Sequence, residues 1–90
     1  MTIEELKDRI SESYPDQEII VFQDPDYTDA FIGVSSDYRA VYDYDKMAEC
    51  LASEDGMSYE DAVEFIDYNT LRALPYMGEN APIVVFPLED

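Results

Sequence analysis

Residues 30–51, AFIGVSSDYRAVYDYDKMAECL, hold the change of period that decides the fold. Residues 30–35 (AFIGVS) read as a strand, Ser35, Ser36 and Asp37 as a turn, and residues 38–42 (YRAVY) as the next strand. The apolar spacing then widens. Tyr44, Met47, Ala48 and Leu51 fall at i, i+3, i+4 and i+7, which is the buried stripe of a helix. Gly56 supplies its C-terminal stop.

Towards the N-terminus, Thr2-Ile3-Glu4-Glu5 fits a capping box, with Thr2 as N-cap and Glu5 as its reciprocal partner. Ile3, Leu6, Ile10 and Tyr14 continue at helical spacing, so a first helix is expected to about Ser13, ended by Pro15 and Asp16. Residues 18–23 (EIIVFQ) are apolar and β-branched and predict a buried strand. Residues 24–29 (DPDYTD) predict a turn into the next strand, so the three strands make an antiparallel meander. Towards the C-terminus, Ser58-Tyr59-Glu60-Asp61 is a second capping box, with Asp in the place of Glu and Met57 positioned to staple onto Ala62. Tyr59, Ala62, Val63, Ile66 and Thr70 line one face of the helix that follows. After Pro75 and residues 78–82 (GENAP), residues 83–86 (IVVF) predict a last strand that returns to the sheet. The order αβββααβ predicts one α+β domain over residues 1–90, with a small antiparallel sheet and helices packed on one face.

Composition bounds the function. Apolar residues make up 47% of the 90, enough for one small core without metals or disulfides. Against this stand 22 acids, 5 bases and no histidine, for a net charge of −17. The acids are spread evenly: residues 1–45 carry −9 and residues 46–90 carry −8, so there is no acidic tail. Disordered chains share such a charge but lack the apolar residues. The lone Cys50 excludes an internal disulfide and suits a reducing compartment. The first ten residues are acidic and amphipathic, unlike a signal peptide, and no apolar run approaches the ~20 residues of a membrane span. A cytoplasmic chain away from membranes is therefore expected. Repulsion at this charge predicts a monomer.

Enzyme chemistry finds little footing. Without histidine there is no Ser-His, Cys-His or His-metal constellation. Cys50 follows Glu49, and a negative neighbour suppresses the thiolate. A carboxylate pair needs a cleft, for which a chain this short has little room. Asp24, Asp26 and Asp29 with Thr28 offer oxygens to a cation, but the EF-hand pattern wants Gly and Glu where this loop has Asp29 and Ser35. No Gly-rich phosphate loop is present, and five scattered bases do not bind a polyanion. The expectation is a non-enzymatic protein with no cofactor, no resident metal and no direct nucleic-acid contact.

The span from Val41 to Val85 carries Tyr42-Asp43-Tyr44-Asp45-Lys46-Met47, then DGMSYEDAVEFI at residues 55–66, YNTLRALPY at 68–76 and GENAPI at 78–83. This half of the chain resembles a family of small uncharacterised acidic proteins met in bacterial genomes and mobile elements. The resemblance implies no activity to carry over. It makes a phage- or plasmid-borne accessory protein plausible, a source that includes anti-restriction and anti-CRISPR proteins, some of which imitate DNA.

The acids are the remaining signal. Glu60, Glu64 and Asp67 fall at i, i+4 and i+7, a stripe with carboxylates about 5–6 Å apart along a helix axis. A second cluster is Asp43 and Asp45 with Glu49 one turn on, which Asp37 and Asp24, Asp26 and Asp29 are placed to join. Tyr27, Tyr38, Tyr42, Tyr44, Tyr59 and Tyr68 lie among them, about half of them expected in the core. Exposed tyrosines are favoured at interfaces. A charged helix face is ordinarily a solvated face. Here, however, the like charges lack partners, and solubility alone needs a net charge of only about 2–8. The expected partner is a basic nucleic-acid-binding protein, such as a CRISPR effector or restriction enzyme. The alternative is an adaptor or antitoxin-like partner using a tyrosine-rich surface.

Overall fold

The computed structural model describes residues 1–88. Three helices and a three-stranded mixed sheet make it a small α+β fold.

Helix α1 (Ile3–Ser13) begins where the capping signal places it: the Thr2 hydroxyl accepts the Glu5 N–H at 3.2 Å. The Glu5 carboxylate answers by accepting from the Thr2 hydroxyl at 3.3 Å. Leu6 is buried, and Ile3 and Ile10 pack against the core from either side of it. Moving such a side chain out of water contributes about 1.5–3 kcal/mol.

Strands β1 (Phe31–Val34) and β2 (Ala40–Asp43) form the hairpin. They pair antiparallel, with Phe31 opposite Tyr42 and Val34 opposite Ala40, and a bulge between Phe31 and Gly33. At the turn the Ser35 N–H bonds the Arg39 carbonyl at 2.8 Å. Tyr38 adopts the left-handed conformation there (φ 63°), a position that favours glycine. Helix α2 (Tyr44–Glu54) starts at once, capped by Asp43, whose side chain accepts the Lys46 N–H at 3.1 Å. It buries Tyr44, Met47, Ala48, Cys50 and Leu51. Gly56 at φ 68° follows its last turn, as the stop signal requires. Helix α3 (Tyr59–Phe65) is capped by Ser58, which accepts the Asp61 N–H at 3.2 Å. It continues into π-helical turns over Ile66–Leu71, then a 3₁₀ turn over Leu74–Met77 that begins beside Pro75.

Two expectations are corrected. Strand β3 (Ile83–Val85) does return to the sheet, but it runs parallel to β2, with Val41 opposite Ile83 and Asp43 opposite Val85. The sheet is mixed, in the order β1-β2-β3, and not antiparallel throughout. The reason is the route: the chain leaves β2 through helices and comes back by a crossover, the connection a parallel pair needs. Residues 18–23 are not a strand. They run without helix, turn or bend and pair with no other strand. Among the described residues the outer edges of β1 and β3 are open, but the run pairs with neither and is held by side-chain contacts instead. Composition marks a segment as fit for a pleated, half-buried surface but cannot supply the partner edge.

That segment is nonetheless tied down. Val21 and Phe22 are buried, and the Phe22 N–H donates to the Tyr42 hydroxyl at 3.2 Å. Tyr42 is wholly buried and touches Phe22 and Phe31, with ring centroids 4.7 and 5.7 Å away. Phe22 in turn meets Tyr27 edge-on at 5.5 Å, and the Tyr27 hydroxyl shares a 2.9 Å hydrogen bond with Thr70. Tyr42→Phe keeps the ring and orphans the Phe22 donor. We expect it to lower unfolding free energy by about 1–3 kcal/mol in urea titrations, whereas a change below about 0.5 kcal/mol would mean that the bond contributes little.

Candidate acidic interface

The ten carboxylates singled out from sequence divide into two groups. Four have structural partners. Asp43 caps α2. Asp26 accepts the Thr28 N–H at 3.0 Å, closing the loop into a short 3₁₀ turn, Thr28–Ala30. Asp37 accepts from the Ser35 hydroxyl at the hairpin tip and lies 3.8 Å from the Arg39 guanidinium. The Ser35 bond first, and Arg39 more weakly, hold its carboxyl below the usual range. Asp67 accepts from the Tyr44 hydroxyl at 2.9 Å. The other six are Asp24, Asp29, Asp45, Glu49, Glu60 and Glu64. All are exposed except Asp45, which is half-buried in the first turn of α2.

The structure regroups them. Asp29 and Glu49 line one shallow depression with Lys46, Cys50 and Ser53. Asp67 meets the Tyr44 hydroxyl, and Asp45 follows Tyr44 in the first turn of α2. The expected stripe on the third helix is thereby changed: Glu60 and Glu64 stay on α3, while Asp67 sits in the π-helical turns and is drawn to Tyr44 of α2. The expected second cluster also divides, with Glu49 and Asp29 on one depression, Asp45 next to Tyr44, and Asp37 engaged with its own hairpin.

Tyr27, Tyr42 and Tyr44 are buried, and Tyr38, Tyr59 and Tyr68 are exposed. Two aromatics not counted among the interface residues from sequence join the surface. Tyr76 in the 3₁₀ turn is 91% exposed. Phe86, exposed, lies against Tyr44 with ring centroids 4.6 Å apart. The signal for Tyr76 was the preceding proline, which forbids a regular continuation of the helix. Phe86 gave none, since it closes an apolar run that reads as core.

The bases do little to offset the acids. Among the described residues one ion pair forms within 4.0 Å, Arg39 with Asp37. Arg39 also donates to the Ala81 carbonyl at 2.7 Å. Arg72 lies over the Tyr68 ring, 4.5 Å from its centroid, and Lys7 donates to the Gln23 side chain at 3.4 Å. Among the described residues no three Asp, Glu or Cys side chains converge as metal ligands, and no helix is long and apolar enough to cross a membrane.

Cys50 is buried and its thiol is pushed up to about 11, by desolvation first and then by the charges of Glu54, Asp29 and Asp26. Burial likewise pushes the Tyr42 hydroxyl up to about 12, with Asp26 adding to it. Both groups are neutral in the fold. Their contribution to stability is whole below their ordinary values and is lost as pH rises through the folded ones. The window runs from 9.0 to about 11 for the thiol and from 10.0 to about 12 for the hydroxyl. Urea titrations are expected to show stability falling above about pH 9. At pH 8 a disulfide reagent should label Cys50 only when the chain opens; labelling of the native chain at the rate of a free thiol would contradict this burial. No known protein-family model matches the chain, and no curated protein or solved structure shows significant similarity to it.

Proposed function

We propose that this protein is an acidic inhibitor or decoy that occupies the nucleic-acid-binding surface of a basic protein. One observation carries the reading: 22 acids face 5 bases in the sequence, yet the described residues hold a single ion pair. Like charges left unpartnered on a small fold repel one another and cost stability. A surface kept at that cost has a use beyond solubility. Carboxylates would stand opposite the Lys and Arg side chains that ordinarily meet phosphates, and attraction at long range would speed encounter. Of the ten, Asp24, Asp29, Asp45, Glu49, Glu60 and Glu64 are free to serve, because their side chains make no hydrogen bond or ion pair among the described residues. The sharp form is phage- or mobile-element-borne inhibition of a CRISPR effector or restriction enzyme in the host cytoplasm. The resemblance of residues 41–85 supports that form by analogy alone.

A second reading rests on the exposed aromatics. Tyr38, Tyr59, Tyr68, Tyr76 and Phe86 are more large rings than a solvated surface needs. In that case the protein is an adaptor or antitoxin-like partner, and charge only steers the approach.

The two separate in one series. A purified CRISPR effector with its guide RNA, and a restriction enzyme, are titrated with the chain from about 50 to 500 mM salt, with duplex DNA as competitor. The decoy reading predicts competition with DNA and an affinity that falls at least tenfold over the range, since exposed charges are screened within about 10 Å at 0.1 M. Salt-independent binding would contradict it. Tyr59→Ala with Tyr76→Ala weakening binding more than Glu60→Gln with Glu64→Gln would favour the adaptor.

A further inference from the structure

Residues 18–23 read as a strand and lack a strand partner. The run carries no turn or bend and is rich in β-branched residues, and it makes no backbone–backbone hydrogen bond; its one backbone bond is the Phe22 N–H to the Tyr42 hydroxyl. In strand geometry successive residues send their N–H and C=O groups to opposite sides. With Phe22 directed inward to Tyr42, the opposite edge belongs to Ile19, Val21 and Gln23. An open groove lies on each side of the run. One, about 370 Å³, is formed with Phe65, Thr70 and Met77. The other, about 360 Å³, is formed with Ile10 and Tyr14 of α1. Ile20, Val21 and Gln23 border both.

We infer that residues 19–23 are a docking edge for an extended segment of the partner, which adds a strand there and seats alternate apolar side chains in the two grooves. This is the arrangement of strand-addition sites: main-chain bonds supply affinity and flanking pockets supply specificity. Charge fixes the occupant's chemistry. Asp16 and Glu18 stand at one end of the apolar run and Asp24 and Asp26 at the other, while Lys7, the one base bordering the grooves, is engaged with Gln23. The complementary segment has an apolar centre and Lys or Arg at both ends. A second copy of this chain fits badly, because antiparallel self-pairing would bring Glu18 and Asp16 against Asp24 and Asp26. The inference rests on the proposed basic partner and adds its mode of contact.

The test selects from a random nine-residue peptide library displayed on phage, with the full chain immobilised at low salt. The strongest binder is then synthesised and titrated into the chain while amide exchange is followed by NMR. We expect enriched sequences with alternating apolar residues between basic ends. Exchange at Ile19, Val21 and Gln23 should slow at least tenfold in the complex. N-methylation of the peptide along one edge should cost at least tenfold in affinity, and along the other edge far less, a comparison that leaves the protein unchanged. Gln23→Pro, at an exposed residue, should also weaken binding at least tenfold. No enrichment, protection confined to other amides, or equal tolerance of methylation on both edges would overturn the proposal, as would self-association of the free chain through these residues. If charge neutralisation abolishes capture of the basic protein while Gln23→Pro leaves it intact, the decoy reading stands and this edge falls. If the peptides bind this edge but the chain never competes with DNA, the edge stands and the decoy reading falls.

Discussion

A buried tyrosine at the centre of the sheet holds the two halves of this fold together. Tyr42 lies on the middle strand, between β1 and β3, and its hydroxyl accepts the N–H of Phe22 from a segment that belongs to no sheet. Its ring packs on Phe22 and Phe31, Phe22 packs on Tyr27, and the Tyr27 hydroxyl reaches Thr70 in the π-helical turns. Aromatic pairs of this kind contribute about 0.5–1.5 kcal/mol each beyond their burial. The chain of contacts runs from sheet to loop to helix. Its position explains why residues 18–27 stay in place without a ladder.

This aromatic core works against the surface around it. Several carboxylates are consumed by structure: Asp43 starts a helix, Asp26 shapes a turn, Asp37 steadies the hairpin and Asp67 takes a proton donor from Tyr44. Others favour helix starts, Glu5 in the α1 capping box and Asp45 and Glu60 in the first turns of α2 and α3, while acids such as Glu49 and Glu64 make no hydrogen bond or ion pair among the described residues. A protein selected for stability would have paired some of them with Lys or Arg. The proposed partner would give this unpaired set its use.

Much of the fold was legible because its signals are local. Thr2 and Ser58 cap helices, Gly56 ends one, and the stripe of Tyr44, Met47, Ala48 and Leu51 faces the core. What was not legible depends on distant partners. Residues 18–23 have the composition of a strand, but composition does not decide which edge a run will meet, and this one pairs with neither outer edge of the sheet. Residues 83–85 form a strand as expected, but their direction follows from the crossover and not from their own sequence. The π-helical turns at Ile66–Leu71 leave no mark in the apolar pattern, so the stripe of Glu60, Glu64 and Asp67 was drawn with the period of an ordinary helix. Asp43 was legible as an N-cap, since it precedes an apolar periodic run; counting it only as surface charge missed that role.

The central claim is that the unpartnered carboxylates cost stability and are kept for binding. The most direct measurement compares the protein with the variant Asp24→Asn, Glu49→Gln, Glu64→Gln, which leaves the acids of the helix first turns in place, in urea denaturation at low salt and in capture by the basic partner. The account predicts that the variant is the more stable of the two and binds at least tenfold more weakly, with the stability gap closing as salt is added. A variant that is no more stable at low salt, and binds as well, would contradict it.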